Sequence, residues 1–249
     1  MKLKNETGFT LVELSIVIVI IGLIVAGVVG GQSLVKQAKL KNVISEFNNY
    51  KTAINIFKLE YDNLPGDMPN ANSYWSGCNS GATANQCNGN GNRRVGFPVH
   101  DSGSTNGTND NEVYRVWGHL SLSGIIKESY TGISTNGWNT GVEYGDIPFS
   151  KLGRGRYFLW ATSPDFMVLE LQGTIPGSAN GASTLSVKEA SDIDIKTDDG
   201  LARGGKLSAH NGSDAPANSC VSANQYNTAN LSSDSFYCYF RYSGHGGFF

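Results

Sequence analysis

The chain has 249 residues, a formal net charge of −2 and 16% charged side chains, a balance that calls for neither nucleic acid nor an anionic surface as a partner. The 31 glycines, with long stretches of Asn, Ser, Thr and Gly, point to an exposed, loop-rich domain rather than a compact enzyme core.

Phe9 to Val29 make 21 residues in which Glu13 is the only ionisable side chain. A bilayer core asks for roughly 20 apolar residues in a helix, so this segment can span a membrane. The polar leader Met1 to Gly8 comes first and small residues come late, which is not the layout of an ordinary secretory signal. Lys2 and Lys4 favour a cytoplasmic leader and an outward-facing remainder. Glu13 is the anomaly. A carboxylate in the apolar part of a membrane helix costs about 2.5–3.5 kcal/mol at the helix centre, so such groups are usually paired and functional. No cation lies within helical reach on the following turns, whereas a free α-amine at Phe9, created by removal of the leader, would stand one turn before it.

Gly8-Phe9-Thr10-Leu11-Val12-Glu13, followed by an unbroken aliphatic run, resembles the class III signal of type IV pilins and type II secretion pseudopilins. That resemblance implies cleavage by a prepilin peptidase between Gly8 and Phe9, N-methylation of Phe9, and a contact between Glu13 and the Phe9 ammonium of a neighbouring subunit. Such a buried pair sets register and recruitment more than bulk stability. It further implies identical or related subunits and the inner-membrane assembly machinery as partners, with residence in the bacterial inner membrane, the C-terminal domain periplasmic, before incorporation into a pilus or pseudopilus. The expected architecture is the α+β pilin lollipop, a long N-terminal helix packed on an antiparallel sheet. Its parts are a leader at 1–8, a membrane and filament-core segment at 9–31, an amphipathic helical half at 32–62 and a globular domain at 63–249. Roles as a type II secretion pseudopilin or as a DNA-uptake minor pilin stay open beside that of a pilus subunit.

Leu40, Val43, Phe47, Tyr50, Ile54, Phe57 and Tyr61 recur at spacings of three and four and predict a helix with one stripe to bury; Lys36, Lys39, Lys41, Glu46, Lys51, Lys58 and Glu60 are its polar positions. Gly22, Gly27, Gly30 and Gly31 weaken the helix, and the span from Gly27 to Gly31, where many pilins place a proline, is a point of local melting or of close helix packing. Pro65 and Gly66 stop it, in a Leu64-Pro65-Gly66-Asp67 turn that resembles one found after the stalk in a branch of pilin-like proteins. A short helix is predicted over Glu112–Leu120 behind Asp110, with Val113, Trp117 and Leu120 on one side. Strands are predicted at Tyr157–Ala161, Phe166–Leu171, Lys206–Ala209 and Phe236–Tyr242, and a helix at Ser183–Asp199 ending at Gly200, although Ile193-Asp194-Ile195 also reads as alternating strand.

Cys78, Cys87, Cys220 and Cys238 are four cysteines in a region expected to be extracytoplasmic, where disulfides persist. The short spacings suggest Cys78 with Cys87 and Cys220 with Cys238, although four cysteines allow three pairings. Asp192, Asp194, Asp198 and Asp199 crowd one segment and raise calcium as a possible ligand; the alternative is a solvated turn paired with Lys196 and Arg203. Asn88 to Asn92 alternates with glycine like a calcium loop but lacks the carboxylates and reads as a turn. Lys151, Arg154 and Arg156, beside Tyr157 and Trp160, form a local basic strip that could hold phosphates, against the plainer reading of a solvated face. The chain has no G-x-S-x-G, H-E-x-x-H or P-loop, and the adjacent His100, Asp101 and Ser102 could not adopt triad geometry, so a structural subunit is expected rather than an enzyme.

Overall fold

The computed structural model describes residues 8–79, 87–96, 112–132, 147–163, 166–173 and 181–243. The chain divides into two units, Met1–Lys41 and Asn42–Phe249. Helix α1, Leu11–Tyr61, is one continuous element of 51 residues. At 1.5 Å per residue it is about 75 Å long, and its first half is long and apolar enough to cross a membrane. Within the first unit the aliphatic side chains from Leu11 to Val35 are exposed on all sides. The melting suggested near Gly27 to Gly31 is not seen, because Gly22, Gly27, Gly30 and Gly31 all keep helical structure. A Cβ on any of them would meet open space within the chain.

In the second unit the sheet is antiparallel throughout, in the order β1 (Arg156–Ser163), β2 (Phe166–Gln172), β6 (Cys238–Ser243), β3 (Leu207–Asn211). A small hairpin, β4 (Val221–Ser222) with β5 (Gln225–Tyr226), stands apart from it. Register sorts the side chains into two faces. Tyr157, Leu159, Leu169, Leu171, Phe240, Leu207 and Ala209 share one and are buried. The stripe on α1 closes over this face: Val43, Phe47, Tyr50, Ile54 and Phe57 are buried, with the Phe47 and Tyr50 rings 5.3 and 5.0 Å from that of Tyr157. Antiparallel strands on one long helix make the domain α+β.

Glu46 departs from the sequence expectation. It lies on the buried side of α1, 5% exposed, rather than at a solvated position. Its carboxylate accepts hydrogen bonds from Ser150 Oγ at 2.8 Å, the Lys151 amide at 2.9 Å and the Tyr157 hydroxyl at 2.9 Å. Burial, followed by the Glu46 charge, pushes the Tyr157 hydroxyl well above its ordinary pKa, so Tyr157 stays a donor.

α1 ends where Asp62 takes a left-handed conformation, φ 50°. The next turn is drawn into the domain. Gly66 (φ 94°) leaves no space for a side chain, since a Cβ would approach the Glu112 carbonyl to 2.7 Å. Its N–H donates to His119 Nδ1 at 2.9 Å, and His119 Nε2 donates to the Cys87 carbonyl at 2.7 Å. Helix α3, Glu112–Leu122, carries His119 and is buried on every side from Glu112 to Leu120, not only along Val113, Trp117 and Leu120. The predicted helix start behind Asp110 lies outside the described residues. A short helix, α2 (Ala71–Tyr74), follows the turn. Helix α4, Val187–Thr197, starts four residues later than predicted because Ser186 caps it in a reciprocal box with Glu189. The last strand begins at Cys238, two residues later than predicted.

Two outcomes follow for stability. Glu46→Ala removes the acceptor of three hydrogen bonds and leaves the Tyr157 hydroxyl buried without it; a loss of about 3 kcal/mol is expected in denaturant unfolding, and a loss below about 0.5 kcal/mol would contradict the buried network. Burial, with the Arg115 charge adding to it, lowers His119 from 6.5 to about 4. Between those values the unfolded chain takes up a proton that the folded one refuses, so stability is full above about pH 6.5 and falls by roughly 3 kcal/mol as pH drops to 4. His119→Gln is expected to flatten that part of the pH–stability curve, and histidine NMR should show the ring neutral with its proton on Nε2 down to the same pH.

Candidate functional site

Gly8 and Phe9 precede the helix and are exposed, Phe9 by 86%. Thr10 stands immediately before the first helical residue, Leu11. The Thr10 amide and hydroxyl both donate to Glu13 Oε2 at 2.8 Å, and the Glu13 amide donates to Thr10 Oγ1 at 3.2 Å. These are the two halves of a capping box, which satisfies helix-start donors that would otherwise be orphaned. The Thr-x-x-Glu spacing was the signal for it, and reading Glu13 only as a charge in search of a cation misses the cap. The Glu13 carboxylate therefore stands at the head of a helix whose next acidic residue is Glu46. Around it, Leu11, Val12, Leu14, Ile16 and Val17 are exposed, leaving a charge with a local partner amid apolar surface.

Residues 3–29 match the sequence profile of the prokaryotic N-terminal methylation motif. That motif is characteristic of type IV pilin and pseudopilin prepilins. The match contains Gly8, Phe9, Thr10 and Glu13 and ends inside α1, so it covers the N-terminal motif and not the domain from Asn42 onward. No curated protein and no solved structure matches the chain.

In the domain, disulfides join Cys78 to Cys87 and Cys220 to Cys238, each with 5.1 Å between Cα atoms. The first closes the chain over the turn after α1, near His119, which holds the Cys87 carbonyl. The second ties the β4 hairpin to the start of β6. Asn211 reinforces that link by accepting from the Cys220 and Val221 amides at 2.8 and 2.9 Å.

The acidic segment divides. Asp194, Asp198 and Asp199 bring carboxylate oxygens within 4.8 Å of one another. Asp192 is not among them, because its carboxylate pairs with Lys188 one turn back on α4. Asp194 is fully buried and accepts from the Tyr226 hydroxyl at 2.8 Å through Oδ2; the Gly200 amide also acts on the carboxylate, and among the described residues Oδ1 has no hydrogen-bond partner of normal geometry. Burial raises its pKa to about 6, with the Asp199 and Asp198 charges adding to the shift. Asp198 accepts from the Lys206 and Leu207 amides, and Asp199 from the Leu201 amide at 2.8 Å. Arg203 does not compensate this cluster; its guanidinium donates instead to His210 Nδ1 at 2.6 Å. Three carboxylates, one of them with an oxygen unmatched among the described residues, are donors of the kind a hard divalent cation takes.

The basic strip does not present three open cations. Arg154 is bound to Glu189 and to the Thr184 carbonyl, each at 2.5 Å, and lies 4.1 Å from the Phe236 ring centroid. Arg156 donates to the Ile147 carbonyl at 3.0 Å and sits over Phe149. Lys151 is exposed.

The Asn88–Asn92 segment is a turn whose amides face carboxylates. Buried Asp67, from the Leu-Pro-Gly-Asp turn, accepts from the Asn92 and Arg93 amides at 3.0 and 2.7 Å, and Glu112 accepts from the Asn90 amide at 3.1 Å. Donors directed inward in this way disfavour a cation there. Gly89 is packed against the Asp67 backbone, which a Cβ would approach to 2.2 Å. His100, Asp101 and Ser102 lie outside the described residues.

Proposed function

We propose that the protein is a structural subunit of a type IV pilus or of a type II secretion pseudopilus, made as a precursor, cut between Gly8 and Phe9, methylated on the new Phe9 amine and assembled through α1. The observation that carries this reading is the methylation motif at 3–29 seated on a helix whose exposed aliphatic surface holds one carboxylate near its start. In the inner membrane that surface faces lipid, with the domain in the periplasm. In a filament it faces the helices of other subunits, where Gly22, Gly27, Gly30 and Gly31 permit close approach. Glu13 supplies the acceptor for the ammonium of a neighbouring Phe9. No chemistry by the chain itself is required; the peptidase, the methyltransferase and the assembly machinery act on it.

Intact-mass measurement of the membrane-derived protein is expected to give a chain beginning at N-methylated Phe9, with two disulfides' worth of reducible mass. An unprocessed Met1 would overturn the reading. Glu13→Ala is expected to keep membrane insertion and cleavage while losing most incorporation into sheared filaments, and wild-type incorporation would remove Glu13 from the assembly role.

A second reading concerns a ligand. Calcium at Asp194, Asp198 and Asp199 is supported by the unmatched Oδ1 of Asp194. Millimolar Ca²⁺ at about ten times the dissociation constant is expected to raise the melting temperature of the full chain in non-ionic detergent by about 3–5 °C. Asp199→Asn should abolish the rise, Asp192→Asn should not, and an equal rise in both variants would discard the site.

A further inference from the structure

The sheet face opposite Tyr157 and Phe240 carries a run of alternating rings and cations that assembly through α1 does not use. Arg241 on β6 lies 5.8 Å from the Trp160 ring centroid on β1 and 5.4 Å from that of Tyr239. Tyr239 stacks on His210 of β3, its partner in the register, with centroids 5.2 Å apart. Arg203, in the loop before β3, donates from Nη1 to His210 Nδ1. With Nδ1 accepting, the neutral ring carries its proton on Nε2 and donates it to Ser208 Oγ at 3.0 Å; the Ser208 hydroxyl in turn donates to the Arg241 carbonyl at 3.4 Å. Both ring nitrogens and the hydroxyl are thereby used, and the groups left over are guanidinium N–H donors.

The charges do not balance. Glu170 accepts from Arg241 Nε at 2.5 Å and compensates one guanidinium. Among the described residues Arg203 has no carboxylate partner, although it is exposed and offers four further N–H groups. The surplus is felt locally: His210 is held down to about 3 by burial and then by the Arg241 and Arg203 charges. The rings themselves are taken. Tyr239 has Arg241 and His210 against it, and Trp160 has Arg241 and Phe166. A ligand here meets cations and donors, not an open aromatic face on which a nucleobase could stack.

We propose that Arg203 and Arg241, set in place by His210, Tyr239 and Ser208, form a site for a tetrahedral oxyanion, a phosphate or sulfate group. Guanidinium forks match such oxygens in bidentate fashion. Arg203 is the principal ligand, and Arg241 contributes the N–H groups that Glu170 does not engage.

The test uses the full chain in non-ionic detergent, at constant ionic strength, with the arginine Nε–Hε resonances observed by NMR. Inorganic phosphate and sulfate form one arm; a phosphorylated hexose and a sulfated disaccharide form the other, which separates a free ion from an ester. Saturable shifts of Arg203 and Arg241 in either arm are expected, weakened about tenfold or more in Arg203→Gln and less in Arg203→Lys, which keeps the charge but not the fork. Because Arg203 is exposed, both variants should retain the wild-type near-UV spectrum. Shifts that grow linearly with added anion, that persist unchanged in Arg203→Gln, or that occur only with a single-stranded oligonucleotide, overturn the site.

Discussion

One helix has to meet two different solvents, and the remaining features of the chain follow from that constraint. The first half of α1 is apolar around its whole circumference, whereas the second keeps apolar residues on one stripe and closes the core of a four-stranded sheet. A uniformly apolar helix needs lipid or other helices around it, and a striped helix needs a sheet. Each half carries one carboxylate in apolar surroundings, and each is satisfied by donors from the same chain. Glu13 has the Thr10 amide and hydroxyl, and Glu46 has Ser150, Lys151 and Tyr157. Carboxylates so placed give direction to an otherwise featureless surface, since the surrounding residues would tolerate many registers and the hydrogen-bonded group tolerates few.

The same device recurs through the loops. Asn- and Gly-rich stretches have little apolar surface to bury, so their order has to come from polar contacts. Buried Asp67 gathers the amides of Asn92 and Arg93, Glu112 that of Asn90, and Asp198 those of Lys206 and Leu207. His119 joins the turn at Gly66 to the disulfide loop at Cys87 with one bond from each ring nitrogen. A domain rich in glycine is thus held by a few buried or half-buried acceptors that fix the backbone of the loops around them.

Sequence reading recovers the elements that depend on local pattern. The stripe from Val43 to Phe57, the stop at Tyr61, the β1–β2 pair and the α4 region all follow from spacing, proline or turn chemistry. What it misses depends on tertiary partners. Glu46 looks like any polar residue on a helix until Ser150 and Tyr157, more than a hundred residues on, are brought to it. Asp192 and Asp194 are two apart in sequence, yet α4 directs one to Lys188 and the other into the core beside Tyr226. The arginine partners were equally hidden, since Arg154 meets Glu189 and Arg203 meets His210 only once the strands are paired. The N-terminal signal is the opposite case, being contiguous and carried by residue types whose chemistry needs no fold to be recognised.

The Thr10–Glu13 box has one more consequence. Both of its bonds to the carboxylate fall on the same oxygen, Oε2. A cation arriving at the other oxygen would add to the cap without displacing it, so docking and helix integrity do not compete. Under the proposed assembly, an unassembled subunit could wait with its helix start intact and release no internal contact on joining a neighbour, leaving desolvation and diffusion to set the rate of that step.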